Sequence, residues 1–556
     1  MKKIIIGLWL PVLWWGCGSK DEMNLGTNLT VLRYNESAGL SFLDPAYASR
    51  FEDTWAIQQL FNGLVRLDKD LNVIPDLAKK WEISEDGLMY TFYLRTDVHF
   101  HDSPVFSNST GRKVIAQDFV NSFFRLIDAE TASPGKFVFN PLDINKSRTI
   151  NGFEAVNDSV FRIHLKQPQY NFLSQLTLAF CKVVPAEAVD KYGRDFRKHP
   201  VGTGPFKLRF WREEVKLVMV KNEKYHEVDE AGKRLPYVDA VVVSFMTDRN
   251  VEISQFRKGQ LEFISGIPPA VRESMITTEG ELKPSYKNEY YLIRQPWLKT
   301  DYLGILVDEE QPVSKNSLLI NKQVRLAINY AIDRVKLVRY LRNGIGKPAL
   351  NGFTPPGTPG FSSFKISGFS YDPDKARELL FEAGVSEDKP KKITLLATNE
   401  YKDVCEYIQR DLKDIGISVE IMLVPAIVQK QMVANVNSEF FRKSWTGDYP
   451  DALNFLQLFY SRNFSPDGPN YTHFRSVYFD NLYEEALQTI DDQKRFELCK
   501  KMEEAIRDEA PVVPLFYDES TKLVQKYVTG LESNAMNMLD LKRVKINKQK
   551  KAFNEK

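Results

Sequence analysis

The chain has 556 residues, of which 43% are hydrophobic and 27% charged, and its formal net charge is +2. This length exceeds what one hydrophobic core usually serves, so two or three domains are expected. When the leader lysines Lys2 and Lys3 are set aside, basic and acidic residues are equal in number, at 73 each. That balance gives no reason to expect a nucleic-acid partner.

The first residues read as an export signal rather than as part of the fold. Lys2-Lys3 precede an apolar stretch from Ile4 to Trp15, which is too short to span a bilayer, and Gly16-Cys17 and a polar run follow. This arrangement resembles a bacterial lipoprotein signal, with cleavage before Cys17, which would then carry the lipid. No later stretch is long and apolar enough for a transmembrane helix, so the mature chain is expected to be soluble apart from its anchor.

Short strands and amphipathic helices are predicted along the first half of the chain. Asp86-Gly87 between apolar runs indicates a hairpin. The glycine-rich segment at 201–206 is interpreted as a structural turn because Pro205 breaks a phosphate-binding pattern. The predicted elements are strands at 29–35, 90–95, 161–165 and 237–245, helices at 54–64, 117–126 and 251–258, and a turn at 43–45.

The C-terminal half alternates helices and strands, which predicts an α/β arrangement with helical crossovers. Asp372 is placed to cap a helix that has Pro373 at its first position and Gly384 just past its end. The predicted elements here are helices at 324–332, 373–383 and 404–413, strands at 393–397 and 417–424, and a loop at 355–360.

Cys181, Cys405 and Cys499 are far apart and form no CxxC pair, so neither a zinc site nor a disulfide framework is indicated. Two interpretations stay open for them. Cys405 and Cys499 pair as a disulfide, or all three are buried free thiols.

The segment Ser444 to Asp451 reads Ser-Trp-Thr-Gly-Asp-Tyr-Pro-Asp and combines an acidic group with a glycine, where Pro450 prevents a continuing helix. Gly447 leaves room for another backbone to approach. The carboxylate of Asp448 could then meet the amino group of an extended ligand. The alternative is ordinary turn chemistry.

Motifs spread over nearly the whole mature chain occur in the order found in one family. The sequence resembles the solute-binding proteins of peptide and nickel ABC importers, the three-lobed class (family 5) that includes oligopeptide- and dipeptide-binding proteins. The matching pieces are Leu43-Asp44-Pro45, Gly63-Leu64, Leu77-Ala78, Asp86-Gly87, Tyr93 to Arg95, Val98 to Asp102, Asp118, Val201 to Phe206, Val324 to Ile328, Asp333-Arg334 and Asp372 to Ala376.

The resemblance also implies site residues. Asp448 falls where family members place the aspartate that pairs with a peptide α-amino group, within the Trp445-Thr446-Gly447-Asp448 of dipeptide-binding members. Trp445 would line the pocket or pack in the core. Arg442 resembles an arginine offered to a ligand carboxylate, with a solvated or helix-capping arginine as the alternative. The backbone of Gly39 and Leu40 aligns with a strand that pairs with the peptide main chain.

The resemblance implies an α/β fold of the type II periplasmic-binding-protein kind, with two hinged lobes and an inserted domain. Lobe I would combine residues 29–49, 196–283 and 511–546, domain II residues 50–195, and lobe III residues 284–510. Residues 1–16 would be the signal, 17–28 a lipidated tether and 547–556 a solvated basic tail.

The implied function is that of a monomeric, extracytoplasmic, lipid-anchored binding protein without cofactor or catalytic activity. It would capture short peptides between its lobes and deliver them to the permease and ATPase subunits of an ABC importer. The anchor would lie on the periplasmic side of the envelope, with the cell surface as the alternative because Lys20-Asp21-Glu22 follows Cys17.

Three alternatives remain open. The same fold hosts non-peptide ligands, namely a nickel chelate, haem, glutathione or an oligosaccharide. A surface peptide receptor is the second. An enzyme is the third, although no Gly-x-Ser-x-Gly, His-Glu-x-x-His or P-loop pattern is present. His99, His101 and Asp102 could ligate a metal, but the same positions match a structural edge of the family.

Overall fold

The computed structural model describes residues 29–146, 150–385, 391–548 and 551. The predicted leader, Cys17 and the tether to residue 28 lie outside the described residues, as does most of the basic tail. Within the described ranges, no helix is both long enough and apolar enough to cross a membrane.

The described residues form short strands and helices that alternate along the chain. The strands are β1 (Val31–Asn35), β2 (Val65–Leu67), β3 (Val73–Pro75), β4 (Ala78–Ile83), β5 (Met89–Leu94), β6 (Phe153–Asn157), β7 (Val160–His164), β8 (Phe206–Arg212), β9 (Lys216–Lys221), β10 (Ala240–Ser244), β11 (Phe263–Ser265), β12 (Tyr290–Ile305), β13 (Lys347–Pro348), β14 (Lys391–Ala397), β15 (Ile417–Leu423), β16 (Phe440–Thr446), β17 (Val512–Gln525), β18 (Val528–Thr529), β19 (Glu532–Ser533), β20 (Leu539–Asp540) and β21 (Lys545–Ile546). The helices are α1 (Phe51–Leu60), α2 (Ala116–Ile127), α3 (Phe172–Gln175), α4 (Ala186–Tyr192), α5 (Arg249–Arg257), α6 (Pro269–Met275), α7 (Lys322–Ala331), α8 (Arg334–Lys336), α9 (Phe361–Phe364), α10 (Pro373–Glu382), α11 (Lys402–Lys413), α12 (Ala426–Ala434), α13 (Leu453–Leu456), α14 (Val477–Gln488) and α15 (Asp492–Glu509).

A four-stranded sheet in the order β1-β10-β9-β8 brings the start of the chain beside residues 206–244. β1 and β10 are parallel, and the other pairs are antiparallel. Alternate residues are buried on opposite faces, with Leu32 and Tyr34 in the largest core cluster and Val31 in a smaller one. Both faces of β1 are therefore covered, and its end at Asn35 is fixed in position.

The largest sheet has the order β11-β17-β12-β16-β14-β15, with β13 beside β17. β12 and β17 have 16 and 14 residues and pair from Tyr290 opposite Gln525 to Gly304 opposite Val512. β14 and β15 are parallel and joined by α11, which confirms the predicted helical crossover. This sheet draws together residues that are far apart in the sequence.

Two local predictions are confirmed by the backbone. β4 and β5 pair as an antiparallel hairpin around Asp86-Gly87, and Gly87 has φ +69°. The side chain of Asp372 accepts a hydrogen bond from the N–H of Lys375, which caps α10, and Gly384 follows with φ +73°.

The glycine-rich turn is structural, as predicted, and it packs against the end of α1. A Cβ atom on Gly202 would lie 2.0 Å from the carbonyl oxygen of Leu60, and one on Gly204 would lie 2.4 Å from that of Gln59. The glycines therefore let two backbone segments touch where any side chain would collide.

Two other expectations need correction or resolution. The first helix runs over Phe51–Leu60 rather than 54–64, since its capping residue is Arg50 and the backbone turns extended at Phe61. Cys181, Cys405 and Cys499 are buried free thiols. Cys405 and Cys499 lie in different core clusters, so the alternative of a disulfide between them is wrong.

The domain boundaries remain a prediction, to which the topology adds one feature. One core cluster joins β1 and α1 to residues 77–206 and 524–544. Two other clusters are built from residues 298–516, and one of them also includes Leu71. β12 and β17 contribute residues to both regions, so these two strands connect the parts of the molecule that the sequence assigns to different lobes.

Arg334, from the Asp333-Arg334 motif, is a buried cation whose hydrogen bonds go to backbone carbonyl groups and to one side-chain amide. Its guanidinium donates to the carbonyl oxygens of Pro514 (2.5 Å) and Asn329 (2.8 Å) and to the side-chain oxygen of Asn329 (3.0 Å). It thereby ties α7 to β17. Burial lowers the pKa of Arg334 to about 10, so it stays charged at neutral pH.

We expect Arg334→Met to lower the free energy of unfolding by about 3 kcal/mol, because buried carbonyl groups would lose their donors. Urea unfolding measures this as a shift of the midpoint at constant slope. Arg339→Met, at an exposed position of the same segment, is the matched control. Equal midpoints for the two variants would contradict the role assigned to Arg334.

Candidate ligand-binding site

The predicted site segment is held by the pairing of β16 with β12. Trp445 lies opposite Thr300, and Thr446 lies opposite Lys299. The ladder continues one step past the strand, since the N–H of Gly447 donates to the carbonyl oxygen of Leu298 at 2.8 Å. Asp448 is the next residue and therefore begins where the sheet ends.

Asn454, at the start of α13, orients the two most important side chains of this segment. It is fully buried. Its side-chain oxygen accepts hydrogen bonds from the indole N–H of Trp445 (3.0 Å) and the backbone N–H of Asp448 (3.2 Å), and its Nδ2 donates to the Asp448 carboxylate at 3.4 Å. The sequence reasoning missed this residue because a lone asparagine carries no local signal of its partners.

Asp448 is open to water although it lies deep in the molecule. Its side chain is exposed, yet protein crowds around it, and this partial desolvation raises the pKa of its carboxyl group, while the bond from Asn454 opposes the rise. Among the described residues, no basic side chain lies within 4 Å of this carboxylate. Asp448 is thus a carboxylate without a counter-ion in an accessible recess.

Trp445, Thr446 and Gly447 lie beside it as predicted from the sequence. Trp445 is half-buried and packs against the cluster that contains Leu298 and Phe455. A Cβ on Gly447 would lie 3.1 Å from the ring of Phe455. Core packing thus accounts for one face of Trp445, and its role as a wall of the site remains a prediction.

Arg442 is neither solvated nor a helix cap. It lies on β16 with 6% of its surface exposed, forms an ion pair with buried Asp301 and lies over the ring of Tyr401. Asp301 also pairs with Lys299 at 3.5 Å, and Lys299 pairs with Asp518 at 2.8 Å. These residues, together with Arg342 on Asp518 (2.5 Å), form a charged cluster.

That cluster borders a cavity of about 330 Å³ between the end of β1 and the strands β12 and β17. Trp297 and Lys299 line it from β12, at the point where the pairing with β17 shifts register between Pro296 and Thr300. Irregular pairing of this kind re-aims side chains and is frequent beside binding sites. Phe51 faces Trp297 across the cavity, with their ring centres 5.7 Å apart.

Glu36 is an acidic group on the opposite wall that sequence reasoning missed. Burial raises the pKa of Glu36 to about 7, and the neighbouring carboxylates of Glu52 and Glu252 add to the rise. Arg249 opposes it. The cavity therefore carries both positive and negative side chains. On its acidic side, Glu36 is repelled by the neighbouring carboxylates.

The backbone at Gly39 and Leu40 is irregular and follows a turn at Ser37 and Ala38, rather than forming the expected strand. β1 ends at Asn35, the N–H of Gly39 bonds the carbonyl oxygen of Glu36, and Gly39 has φ +65°. The carbonyl oxygens of Ala38 and Gly39 already accept hydrogen bonds from Arg50. In the described part of the chain, no hydrogen bond uses the N–H or the C=O of Leu40.

The alternative metal ligands have other partners. His101 is buried, with Nε2 3.0 Å from the carbonyl oxygen of Gly204 and Nδ1 accepting from the N–H of Gly202. Burial lowers the pKa of His101 to about 4. Asp102 binds Lys224 at 2.8 Å. This histidine therefore braces the glycine-rich turn, as the structural interpretation predicts.

The comparisons with known proteins agree with this fold. The family described as Bacterial extracellular solute-binding proteins, family 5 Middle, matches residues 72–467. The dipeptide-binding protein of Escherichia coli (strain K12) is 28% identical over 488 residues, which cover 85% of this chain and 86% of that protein. Glutathione-binding protein GsiB of Salmonella typhi is 28% identical over 502 residues, which cover 88% of this chain and 89% of that protein. Di/tripeptide-binding protein 1 of Pseudomonas aeruginosa is 26% identical over 540 residues, which cover 94% of this chain and 95% of that protein.

Solved structures extend the similarity to the whole architecture. The ABC transporter-associated periplasmic binding protein DppA of Helicobacter pylori, in complex with the peptide STSA, has a TM-score of 0.75 at 26% identity, covering 93% of this chain and 98% of that chain. HbpA2 of Haemophilus parasuis has a TM-score of 0.75 at 24% identity, covering 94% of this chain and 100% of that chain.

The fold is thus the α/β fold of a type II-like periplasmic binding protein, which defines the class as solute-binding proteins. Within that class, the chain belongs to the bacterial extracellular solute-binding proteins of family 5, because the family match covers well over half of it.

We expect Asn454→Asp to raise the pKa of the Asp448 carboxyl further, because a like charge replaces the amide donor at 3.4 Å. Carbon-detected NMR titration of the Asp448 carboxyl measures this pKa directly. Binding of an amine ligand at mildly acidic pH would weaken about ten-fold for each pKa unit.

Asn435→Asp adds the same charge at an exposed position of the same region and serves as the control. An Asp448 pKa that is the same in both variants would show that Asn454 does not set the charge of this carboxylate.

Proposed function

We propose that this protein is an extracytoplasmic, lipid-anchored binding protein that captures short peptides by their free amino group and delivers them to an ABC importer. The observation that carries the proposal is Asp448. Its carboxylate is oriented by Asn454, exposed to solvent and without a basic partner among the described residues. A ligand ammonium would supply the missing charge in a site where water is already partly excluded.

The charged cluster that borders the cavity beside Trp297 fits the carboxylate end of a peptide. Lys299, Arg342 and Arg442 face the two carboxylates of Asp301 and Asp518, which leaves one positive charge in excess. Lys299 and Arg342 line the cavity. We assign them the direct contact with a ligand carboxylate, while Arg442, beneath Tyr401, adds to the positive potential.

The main chain of Leu40 offers the sequence-independent part of recognition. Its N–H and C=O are without partners among the described residues, and the space around Gly39 is open for at least 4 Å from a built Cβ position. Pairing with peptide backbone at Leu40 would hold ligands of varied sequence, because main-chain groups are common to all peptides. Trp445, Thr446 and Gly447 would border the amino-terminal end.

The names of the relatives favour the same ligand class. Two of the three similar proteins are named for dipeptides or for di- and tripeptides, and the third for glutathione. Glutathione is a modified tripeptide with a free amino group, so it is the second candidate ligand for the same anchor.

A catalytic role is not proposed, although one serine lies next to a histidine and an aspartate. The hydroxyl of Ser465 is 3.2 Å from Nε2 of His473, whose Nδ1 is 3.1 Å from Asp308. Ser465 is buried, its N–H bonds the carbonyl oxygen of Asn470, and His473 also contacts the Ser465 carbonyl oxygen at 3.0 Å. A nucleophile must be reachable by substrate, so this group is better explained as a loop brace.

We expect Asp448→Asn to weaken binding of free-amine peptides by about 2 kcal/mol or more, which is roughly 30-fold, because a charge-assisted bond is lost. Native mass spectrometry of the ligand-free protein with pooled di- to pentapeptides and glutathione measures this. N-acetylation of the peptides should have the same effect on the unmodified protein.

Asp467→Asn, on an exposed loop, is the matched control and should bind like the unmodified protein. Equal binding of acetylated and free peptides would remove Asp448 as the amine anchor. Absence of any peptide or glutathione binding would instead favour a nickel chelate, haem or oligosaccharide.

We expect Cys17→Ala to move the protein from the membrane fraction to the soluble extracytoplasmic fraction, because Cys17 is the proposed lipidation site. Incorporation of labelled palmitate and cell fractionation measure the change. Cys181→Ala removes a buried thiol and should keep both label and location. Membrane retention of the Cys17 variant would contradict the anchor, and protease treatment of intact cells separates a surface location from a periplasmic one.

A further inference from the structure

A second pocket, of about 280 Å³, lies at the junction of α1, the β2–β3 hairpin and residues 532–543. We call it the basic pocket. It shares no lining residue with the cavity beside Trp297. The basic side chains that line it are Arg66, Lys69, Lys182, Lys542 and Arg543, and the acidic ones are Asp68, Asp76, Glu532 and Asp540.

Lys182 is the central residue of the basic pocket. Only 5% of its surface is exposed, and among the described residues its ammonium group has neither a hydrogen bond nor an ion pair. Burial lowers the pKa of Lys182, and Asp76, further than an ion-pair distance away, opposes the change. The nitrogen itself is not fully enclosed by protein, so it faces the space of the pocket. An ammonium with so little access to water and no acceptor from the protein is costly, so this arrangement needs an explanation.

The backbone holds Lys182 in this position. Residue 182 forms a β-bridge with Gly63, and the N–H of Val183 donates to the carbonyl oxygen of Asn62 at 3.0 Å. A Cβ on Gly63 would lie 2.9 Å from the carbonyl oxygen of Cys181 and 3.6 Å from Cδ of Lys182. The side chain is therefore confined beside a glycine and has little freedom to reach solvent elsewhere.

The carboxylates of Asp76 and Glu227, which lie beside Arg66 and Lys182, are already engaged with other groups. Asp76 accepts hydrogen bonds from Asn62 Nδ2 (2.9 Å) and the N–H of Gly63 (3.1 Å). Glu227 accepts from the hydroxyl of Tyr225 (2.7 Å) and pairs with Lys542 (3.1 Å) and Arg66 (3.6 Å). Neither contacts Lys182 within 4 Å.

The positive and negative charges of this wall are balanced in number, but Lys182 is left out of its ion pairs. Arg66 and Lys542 pair with Glu227, and Lys542 also pairs with Asp540 at 3.4 Å, whereas Lys182 pairs with none of these carboxylates among the described residues. The Nε of Arg66 is buried and has no hydrogen-bond acceptor. One ammonium group and one guanidinium N–H thus remain without a hydrogen-bond acceptor among the described residues.

The charges around the pocket do not favour a metal ion. Asp76, His226 and Glu227 have potential ligand atoms within 4.8 Å of one another. Three cationic side chains surround them, however, and would repel a further cation. Burial also lowers the pKa of His226, so this histidine adds no positive charge at neutral pH.

We propose that the basic pocket binds a small oxyanion, a phosphate or carboxylate group, held by the ammonium of Lys182 and the guanidinium of Arg66. Charge-assisted bonds to these two donors would satisfy both groups left without acceptors. The pocket volume suits one small organic or inorganic anion rather than a macromolecule. This site is independent of the peptide site and does not rest on the function proposed above.

Isothermal titration of the full-length mature protein with inorganic phosphate, and separately with citrate, tests the proposal at constant ionic strength. The expected result is saturable binding of at least one probe, weakened about ten-fold or more by Lys182→Met. Lys79→Met, which removes an exposed charge of the same region, should bind like the unmodified protein. The phosphate and citrate arms separate the two chemistries.

Stability without added anion distinguishes a ligand-binding lysine from a structural one. Lys182→Met should unfold at the same or a higher temperature than the unmodified protein, because a buried unpaired charge is removed. No saturable binding of either probe, or equal binding by Lys182→Met, would overturn the proposal. A lower unfolding temperature together with unchanged binding would show that Lys182 serves the fold.

Lys299→Met provides a separate check, since it removes a cation of the peptide site and should leave phosphate or citrate binding unchanged. If anion binding fell with Lys299→Met and not with Lys182→Met, the anion would occupy the peptide site and the basic pocket would be excluded.

Discussion

The pairing of β12 with β17 is the constraint on which the rest of the structure depends. These two strands pair over almost their full length, and the irregular register near Trp297 lies where the cavity opens. β16 takes its position from the other edge of β12, and through it Asp448 is placed beside Leu298. Both charge ends of the candidate site are therefore fixed by one strand, so their separation is set by backbone geometry rather than by flexible loops.

The same strands bear buried charges whose desolvation costs stability but whose field acts on the candidate site. Asp301, Asp518 and Lys299 are buried or nearly so, and their charges are kept only by mutual ion pairs. Such clusters add little net stability compared with apolar packing, because desolvation offsets most of the attraction. They do create a fixed local field next to the cavity. The buried ion pairs thus lower the stability of the sheet but fix a local electrostatic field. That field can distinguish the amino end of a ligand from its carboxylate end.

Local signals in the sequence were sufficient for several elements, whereas Asp448 was singled out through the family resemblance and its role remains a prediction. The Asp86-Gly87 hairpin, the Asp372 cap and the alternating strands of the C-terminal half depend on neighbours only a few residues away, so periodicity and capping predicted them. Asn454, Glu36 and Lys182 escaped prediction because their partners are brought by tertiary contacts that no local pattern encodes. The segment at Gly39 failed as a strand for a related reason, since Arg50 occupies its carbonyl oxygens from another element.

Charged groups in enclosed positions of this molecule fall into two kinds. Those with partners inside the chain hold the fold together, and those without partners mark the proposed binding sites. Arg334 and Asp76 are charged and buried, yet each has its hydrogen-bonding partners within the chain. Asp448 and Lys182 have no oppositely charged group in contact among the described residues, and in each the pKa moves in the direction that disfavours the charged form. A fold that leaves such groups without partners loses stability at those positions. A ligand of opposite charge would supply the missing partner and stabilise the protein on binding. Binding free energy is therefore available at the positions where the ligand-free protein leaves a charge unpaired.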